Sequence, residues 1–165
     1  MQSNSPGLPS IRPTWDDTWL GAARVLSSRS LCSRAQVGAI IVDEQHRVLA
    51  SCYNGPPRSF PHNNDRCVAW CHRAAGAPGT RDPDYDDCPA LHAEANAISA
   101  SEYAARQRGT IYVTSHVCFG CAKLIANSGL ARLVVAPDDE AAWRRPDRSY
   151  DLLRQCGLEV DIYAA

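Results

Sequence analysis

No segment of the 165-residue chain is apolar for long enough to cross a bilayer, since a spanning helix needs about 20 such residues. The first residues also lack the apolar core of a secretory signal, because Pro6, Gly7, Pro9 and Pro13 fall within them. These absences point to a soluble, cytoplasmic protein without a membrane partner. Charge of one sign is not in excess either: 17 basic side chains stand against 18 acidic ones, for a formal net charge of −1. A long nucleic acid is therefore not the expected partner, although a small anion needs only a local basic pocket. No internal repeat or low-complexity block is present. The length predicts one domain over residues 13–165, preceded by a flexible tail over 1–12. A domain of this size buries roughly 70% of its unfolded-chain surface and needs no disulfide scaffold.

Cysteine, by contrast, is abundant: eight stand at positions 32, 52, 67, 71, 88, 118, 121 and 156. With no sign of export, metal ligation or buried free thiols account for them better than disulfides. Thr14 can cap a helix whose first turn carries Asp16 and Asp17. Trp15, Trp19, Ala22, Ala23 and Leu26 recur at helical spacing and predict a helix over 15–30. Two apolar runs, 37–42 and 48–53, flank a polar turn and predict a β-hairpin, which Asn54-Gly55-Pro56-Pro57 ends. Residues 55–88 read as a long irregular excursion with a short helix near 65–75. Such excursions are usually functional or clipped down, and three cysteines and two histidines here suit a metal clip. Helix 91–106, strand 110–115, helix 118–127 with Gly129 past its end, strand 131–136, helix 150–156 and strand 158–163 follow. This alternation predicts an α/β fold with a partly parallel sheet covered by helices. Cys52 and Cys156 read as core residues.

Two short segments carry chemistry. His92-x-Glu94 opens one predicted helix, and Cys118-x-x-Cys121 opens the next, directly after a strand. One imidazole and two thiolates bind zinc well and leave the fourth tetrahedral position open, the mark of a catalytic site. Helix N-termini favour thiolate over thiol. Glu94 lies one residue from a ligand, where it can move a proton without binding the metal. A lone Cys-x-x-Cys also occurs in structural zinc half-sites and redox pairs, and a lone His-x-Glu says less still. Together they match the H-x-E…P-C-x-x-C signature of zinc deaminases, in which the glutamate is the general acid and base.

Other stretches extend the match: Arg12-Pro13-Thr14-Trp15-Asp16-Asp17, the segment 28–39 with Gln36-Val37-Gly38-Ala39, Tyr53-Asn54-Gly55-Pro56-Pro57, Cys88 to Ile98, and Cys118 to Lys123. On these residues the chain resembles the deoxycytidylate (dCMP) deaminase family of the zinc-dependent cytidine deaminase superfamily, over about 11–160. The resemblance implies α-β-α layers, with a five-stranded mixed sheet flanked by helices. It implies zinc-dependent hydrolysis of dCMP to dUMP and ammonia. It further implies a homo-oligomer, hexamer favoured, with control by dCTP, bound with Mg2+, and by dTTP. The family's asparagine at the place of Asn54 contacts the sugar, and its arginine at the place of Arg34 lies near the phosphate, a task that suits a planar guanidinium. Arg58 is a second candidate. For either arginine the alternative is a solvated surface charge. Ala93, His116, Val117 and Phe119 fall at the expected base pocket.

The departures sit beside that pocket. Val117 stands where the signature has proline, and Ser59 and Cys52 replace usual glycines. These changes leave the chemistry in place and keep a C5-modified dCMP open as substrate, with His116 either facing it or ending a strand. By the same resemblance, Cys32, Cys67, His72 and Cys88 form a closed structural zinc site, with Cys71 as rival for His72 and His62 as a weaker one. Other readings are a deaminase of tRNA adenosine or cytidine, or a non-catalytic zinc-stabilised interaction protein. A purely structural site has no need of Glu94.

Overall fold

The protein is described by a computed structural model covering residues 12–61, 67–69, 71–75, 88–137 and 146–163, without the side chains of residues 68, 72 and 75. The expected tail lies outside this description apart from Arg12, as does His62. Four α-helices and five strands occur among the described residues: α1 (Trp15–Ser27), β1 (Gly38–Val42), β2 (Val48–Tyr53), α2 (Ala93–Ala100), β3 (Thr110–Val113), α3 (Phe119–Ala126), β4 (Arg132–Val135), α4 (Pro146–Gln155) and β5 (Glu159–Ile162). The strands form one sheet in the order β2-β1-β3-β4-β5. β1 is antiparallel to both β2 and β3, whereas β3, β4 and β5 run parallel. The mixed five-stranded sheet expected from the resemblance is the sheet observed.

Alternation along the strands sorts the core into two layers. Ala39, Ile41, Ile111, Val113, Leu133 and Val135 face one side, together with buried residues of α2, α3 and α4. Ile40, Val42, Tyr112 and Val134 face the other, against Leu20 and Ala23 of α1. α1 lies so close to β1 that a Cβ on Gly38 would stand 2.0 Å from the Ala23 carbonyl oxygen. Glycine is required there by approach, not by turn geometry.

Several element ends differ from the pattern-based expectation. α1 starts as expected, with Thr14 and Asp17 in a reciprocal capping box, but stops at Ser27 where 30 was expected. α2 stops at Ala100, not 106, and a buried arginine explains it. The Arg106 guanidinium donates to the Ile98 and Ser101 carbonyls at the end of α2 and to the Ser128 carbonyl after α3. A side chain thus occupies the orphan carbonyls that another helical turn would have used. α4 begins at Pro146, four residues before the expected start, as suits proline in a first turn. The single helix expected near 65–75 is two short 3-10 turns, Cys67–Ala69 and His72–Ala75. Cys156 is exposed, not a core residue, and Cys52 is half-buried.

Asp16 ties α1 to the sheet. Both its oxygens accept from Arg132, at 2.9 Å each, and the Tyr112 hydroxyl donates at 2.9 Å. Arg132 also pairs with Asp161 on β5 at 2.6 Å. The hydrogen bonds from Arg132 are the main reason the Asp16 carboxyl titrates below its ordinary 3.8, against an opposing effect of burial. A folded-state pKa below the unfolded one adds stability above the unfolded value and loses it as pH falls through the folded value. Asp16→Asn should therefore cost about 2 kcal/mol at pH 7, the scale of a charged hydrogen-bonded pair. The gap from the parent should shrink below pH 3.8. Urea unfolding at pH 7 and pH 3 checks both; a gap equal at the two values would exclude the ion pair as its source.

Candidate metal centre

His92 and Cys118 occupy equivalent places. Each is the N-cap of its helix, with extended backbone torsions of φ −70°, ψ 153° for His92 and φ −73°, ψ 161° for Cys118. α2 and α3 start towards one another, so the two caps meet. His92 Nδ1 lies 3.4 Å from Cys118 Sγ and 3.3 Å from Cys121 Sγ. Among the described residues, these three form the one group whose ligand atoms all lie within 4.8 Å of one another. Tetrahedral zinc bonds of about 2.3 Å to sulfur and 2.0 Å to nitrogen span roughly 3.5 Å between ligand atoms. The separations and the donor set both fit zinc.

The surroundings favour a metal-ready thiolate. The Cys118 thiol is pulled down to about 3, first by its hydrogen bond with the Cys121 side chain, then by His92 and the Cys121 backbone amide, against the effect of burial. This is the usual behaviour of a cysteine at a helix start beside a histidine. Glu94, in the first turn of α2, is only 2% exposed, and Ala93 beside it is fully buried. The carboxylate is thus held out of water two positions along the chain from His92, outside the triad itself.

The strand end after β2 borders this site. Leu91 and Gly55 exchange both backbone hydrogen bonds, at 3.1 and 2.8 Å, and Asn96 Nδ2 donates to the Tyr53 carbonyl at 2.9 Å. Asn54 is buried. Its Oδ1 accepts from the Val37 amide at 2.8 Å, and its Nδ2 donates to the Ala35 carbonyl at 2.9 Å. It thus fixes the segment that carries Arg34. Arg34 is half-buried and donates to the Arg73 carbonyl at 3.2 Å, whereas Arg58 is exposed on a turn.

At the other rim, His116 Nδ1 lies 2.7 Å from the hydroxyl of the buried Tyr150 on α4, and Val117 is packed in the core. Phe119 is 41% exposed, with the cations of Lys123 and Arg148 over its ring at 5.9 and 5.3 Å. Sequence reasoning did not single out Tyr150 or Arg148. Their helix is recognisable only as an amphipathic stretch, and nothing in its spacing points to β3 or α3.

The second cysteine set is arranged as a chain of contacts. Cys67 Sγ accepts from the Ser33 amide at 3.1 Å, and Cys71 Sγ lies 3.8 Å from Cys88 Sγ. Burial raises the Cys32 and Cys71 thiols, with a further rise from Cys67 for Cys32 and from Cys88, then Cys67, for Cys71. The His72 side chain lies outside the described residues.

A zinc-ready triad at two facing helix starts, beside a mixed five-stranded sheet, is the architecture of the zinc-dependent nucleoside and nucleotide deaminases. Residues 13–137 match the family model of the cytidine and deoxycytidylate deaminase zinc-binding region. A deoxycytidylate deaminase of Mycobacterium phage D29 is 39% identical over 128 residues, covering 74% of this chain and 94% of the phage protein. A deoxycytidylate deaminase of Saccharomyces cerevisiae is 31% identical over 156 residues, covering 92% of this chain and 46% of the yeast protein. The crystal structure of the dCMP deaminase of cyanophage S-TIM5 in complex with dCMP and dUMP superposes with a TM-score of 0.70 at 28% identity, over 93% of this chain and 99% of that one. The chain belongs to the cytidine and deoxycytidylate deaminase family.

Replacing a triad member should remove the metal without unfolding the domain. His92→Ala is expected to lower zinc content by about one equivalent per chain, the loss of one of three protein ligands, while far-UV circular dichroism stays near the parent's. Undiminished zinc content would exclude His92 as a ligand.

Proposed function

We infer that the protein hydrolytically deaminates deoxycytidine monophosphate, giving dUMP and ammonia. The observation that carries the reading is the buried Glu94 carboxylate beside a triad of one imidazole and two thiols. When bound, zinc at His92, Cys118 and Cys121 would supply a Lewis acid that makes water nucleophilic near neutral pH. Glu94 accepts one proton from the attacking water and passes it to the ring nitrogen, then carries a second proton, from the hydroxyl now on the ring carbon, to the departing amine. Water adds at the amino-bearing carbon, the C–N bond breaks, and ammonia leaves. Ala93, His116, Val117 and Phe119 border the base, Asn54 the sugar, and Arg34 the phosphate.

The named relatives support dCMP as the substrate. A C5-modified dCMP is the second reading, supported by Val117 and Phe119 beside the first ligand cysteine. A homo-oligomer, hexamer favoured, regulation by dCTP with Mg2+ or by dTTP, and a cytoplasmic location belong to the same reading. That compartment keeps thiol ligands reduced.

We also propose a second, structural zinc. Its ligands are Cys32, Cys67 and Cys88 with either His72 or Cys71, and the 3.8 Å approach of Cys71 to Cys88, about the separation of two thiolates on one tetrahedral ion, favours Cys71 as the fourth.

Two measurements test these readings. Glu94→Gln should reduce ammonia release by about 10³-fold, within the usual range for a general acid–base group, with zinc content unchanged; undiminished turnover would exclude Glu94 as the proton carrier. A substrate series of dCMP, 5-methyl-dCMP, CMP, dCTP and deoxycytidine should show preference for the deoxy monophosphate, and equal rates on deoxycytidine would refute it. For the second ion, elemental analysis should find about two zinc per chain, falling by one in Cys71→Ser and unchanged in His72→Asn. The reverse pattern returns the ligand to His72, and one zinc in the parent rejects the site.

A further inference from the structure

The zinc-deaminase signature has proline directly before its first ligand cysteine, and this chain has Val117. Proline brings two things to that place. It fixes φ near −65°, which stiffens the approach to the ligand, and it has no N–H. Val117 brings neither. It is fully buried, so its backbone amide is held away from water, where an unmet donor costs about 1–3 kcal/mol.

Tyr150 stands where both deficits arise. It reaches from α4 with its ring buried to 2% exposure, and its hydroxyl lies 2.7 Å from His116 Nδ1, one residue before Val117. The same hydroxyl is hydrogen-bonded by the Val117 backbone, and it lies within the electrostatic reach of Glu94. A phenol that accepts from an amide can still donate its own proton, here to the imidazole. Burial raises the phenol's pKa and so keeps that proton in place. A single hydroxyl thus holds two consecutive residues of the segment that ends in Cys118.

We propose that Tyr150 is a positioning residue for the catalytic zinc site, its hydroxyl bracing His116 and Val117 so that the Cys118 ligand is held as the signature's proline holds it elsewhere. The bracing rests on the metal-site reading above, and its primary test does not need turnover. Tyr150→Phe keeps the ring in the core and removes only the hydroxyl. In that variant, zinc should pass from the triad to a competing chelator about 10-fold faster, the usual scale for loss of a group that orients a ligand. kcat on dCMP should fall by about the same factor, with KM within about twofold. In the Val117→Pro background, Tyr150→Phe should change either quantity by less than about twofold, because proline supplies the constraint and removes the donor. Equal losses in the two backgrounds would overturn the proposal, as would no loss with Val117 present.

Should the proline variant not fold, the Co2+-substituted protein decides. Tyr150→Phe should shift the visible ligand-field bands of the triad-bound ion, and an unchanged spectrum overturns the proposal. An inactive parent protein that still shows the zinc-release difference would refute the deaminase reading and leave the bracing intact.

Discussion

A residue at a helix N-cap has extended torsions, yet its neighbours are already helical. Its side chain is therefore launched from a fixed direction, independent of the helix's own rotation further along. His92 and Cys118 are both such residues, and the candidate site exists because α2 and α3 are packed with their starts together. The third ligand, Cys121, needs no separate positioning. Its amide donates to Cys118 Sγ at 3.4 Å, so the capping bond of α3 and the geometry of the thiol pair are one arrangement. The same helix starts present partial positive charge to the thiolates.

What holds the two starts together is β3 and its neighbours. β3 pairs antiparallel with β1 and parallel with β4, so its C-terminal end opens on the side where α2 and α3 lie. His116 to Cys118 leave that end directly. α1 and the Asp16–Arg132–Asp161 contacts close the opposite face and fix β4 and β5 against it. The Trp15-Asp16 opening, one of the stretches carrying the family resemblance, thus braces the sheet from the side away from the metal centre.

The chemistry was more legible than the limits of the elements. Residue type and short spacing suffice to single out His92, Cys118 and Cys121, which the structure brings together, and Glu94 beside them, before any fold is known. The mixed five-stranded sheet followed from the resemblance, but its strand order is seen only in the structure. Helix ends depended on single long side chains that no local pattern contains. Arg106 ends α2 by occupying carbonyls from two separate segments, and nothing between positions 91 and 106 announces it. Tyr150 was invisible for the same reason: its role comes from a partner 34 residues earlier in the chain. Asn54 was expected at the sugar, but sequence gave no sign that its amide also fixes the Arg34 segment through Val37 and Ala35.

Those last contacts bear on how the two cysteine groups relate. Cys88 is four residues before His92, at most about 14 Å of extended chain, so strain in one group would reach the other if nothing intervened. Leu91 intervenes. Both its backbone groups are paired with Gly55, at the end of a strand that Asn54 and Asn96 hold from either side. The position of His92 is therefore set by β2 and α2, and the metal triad does not depend on Cys88 for its placement.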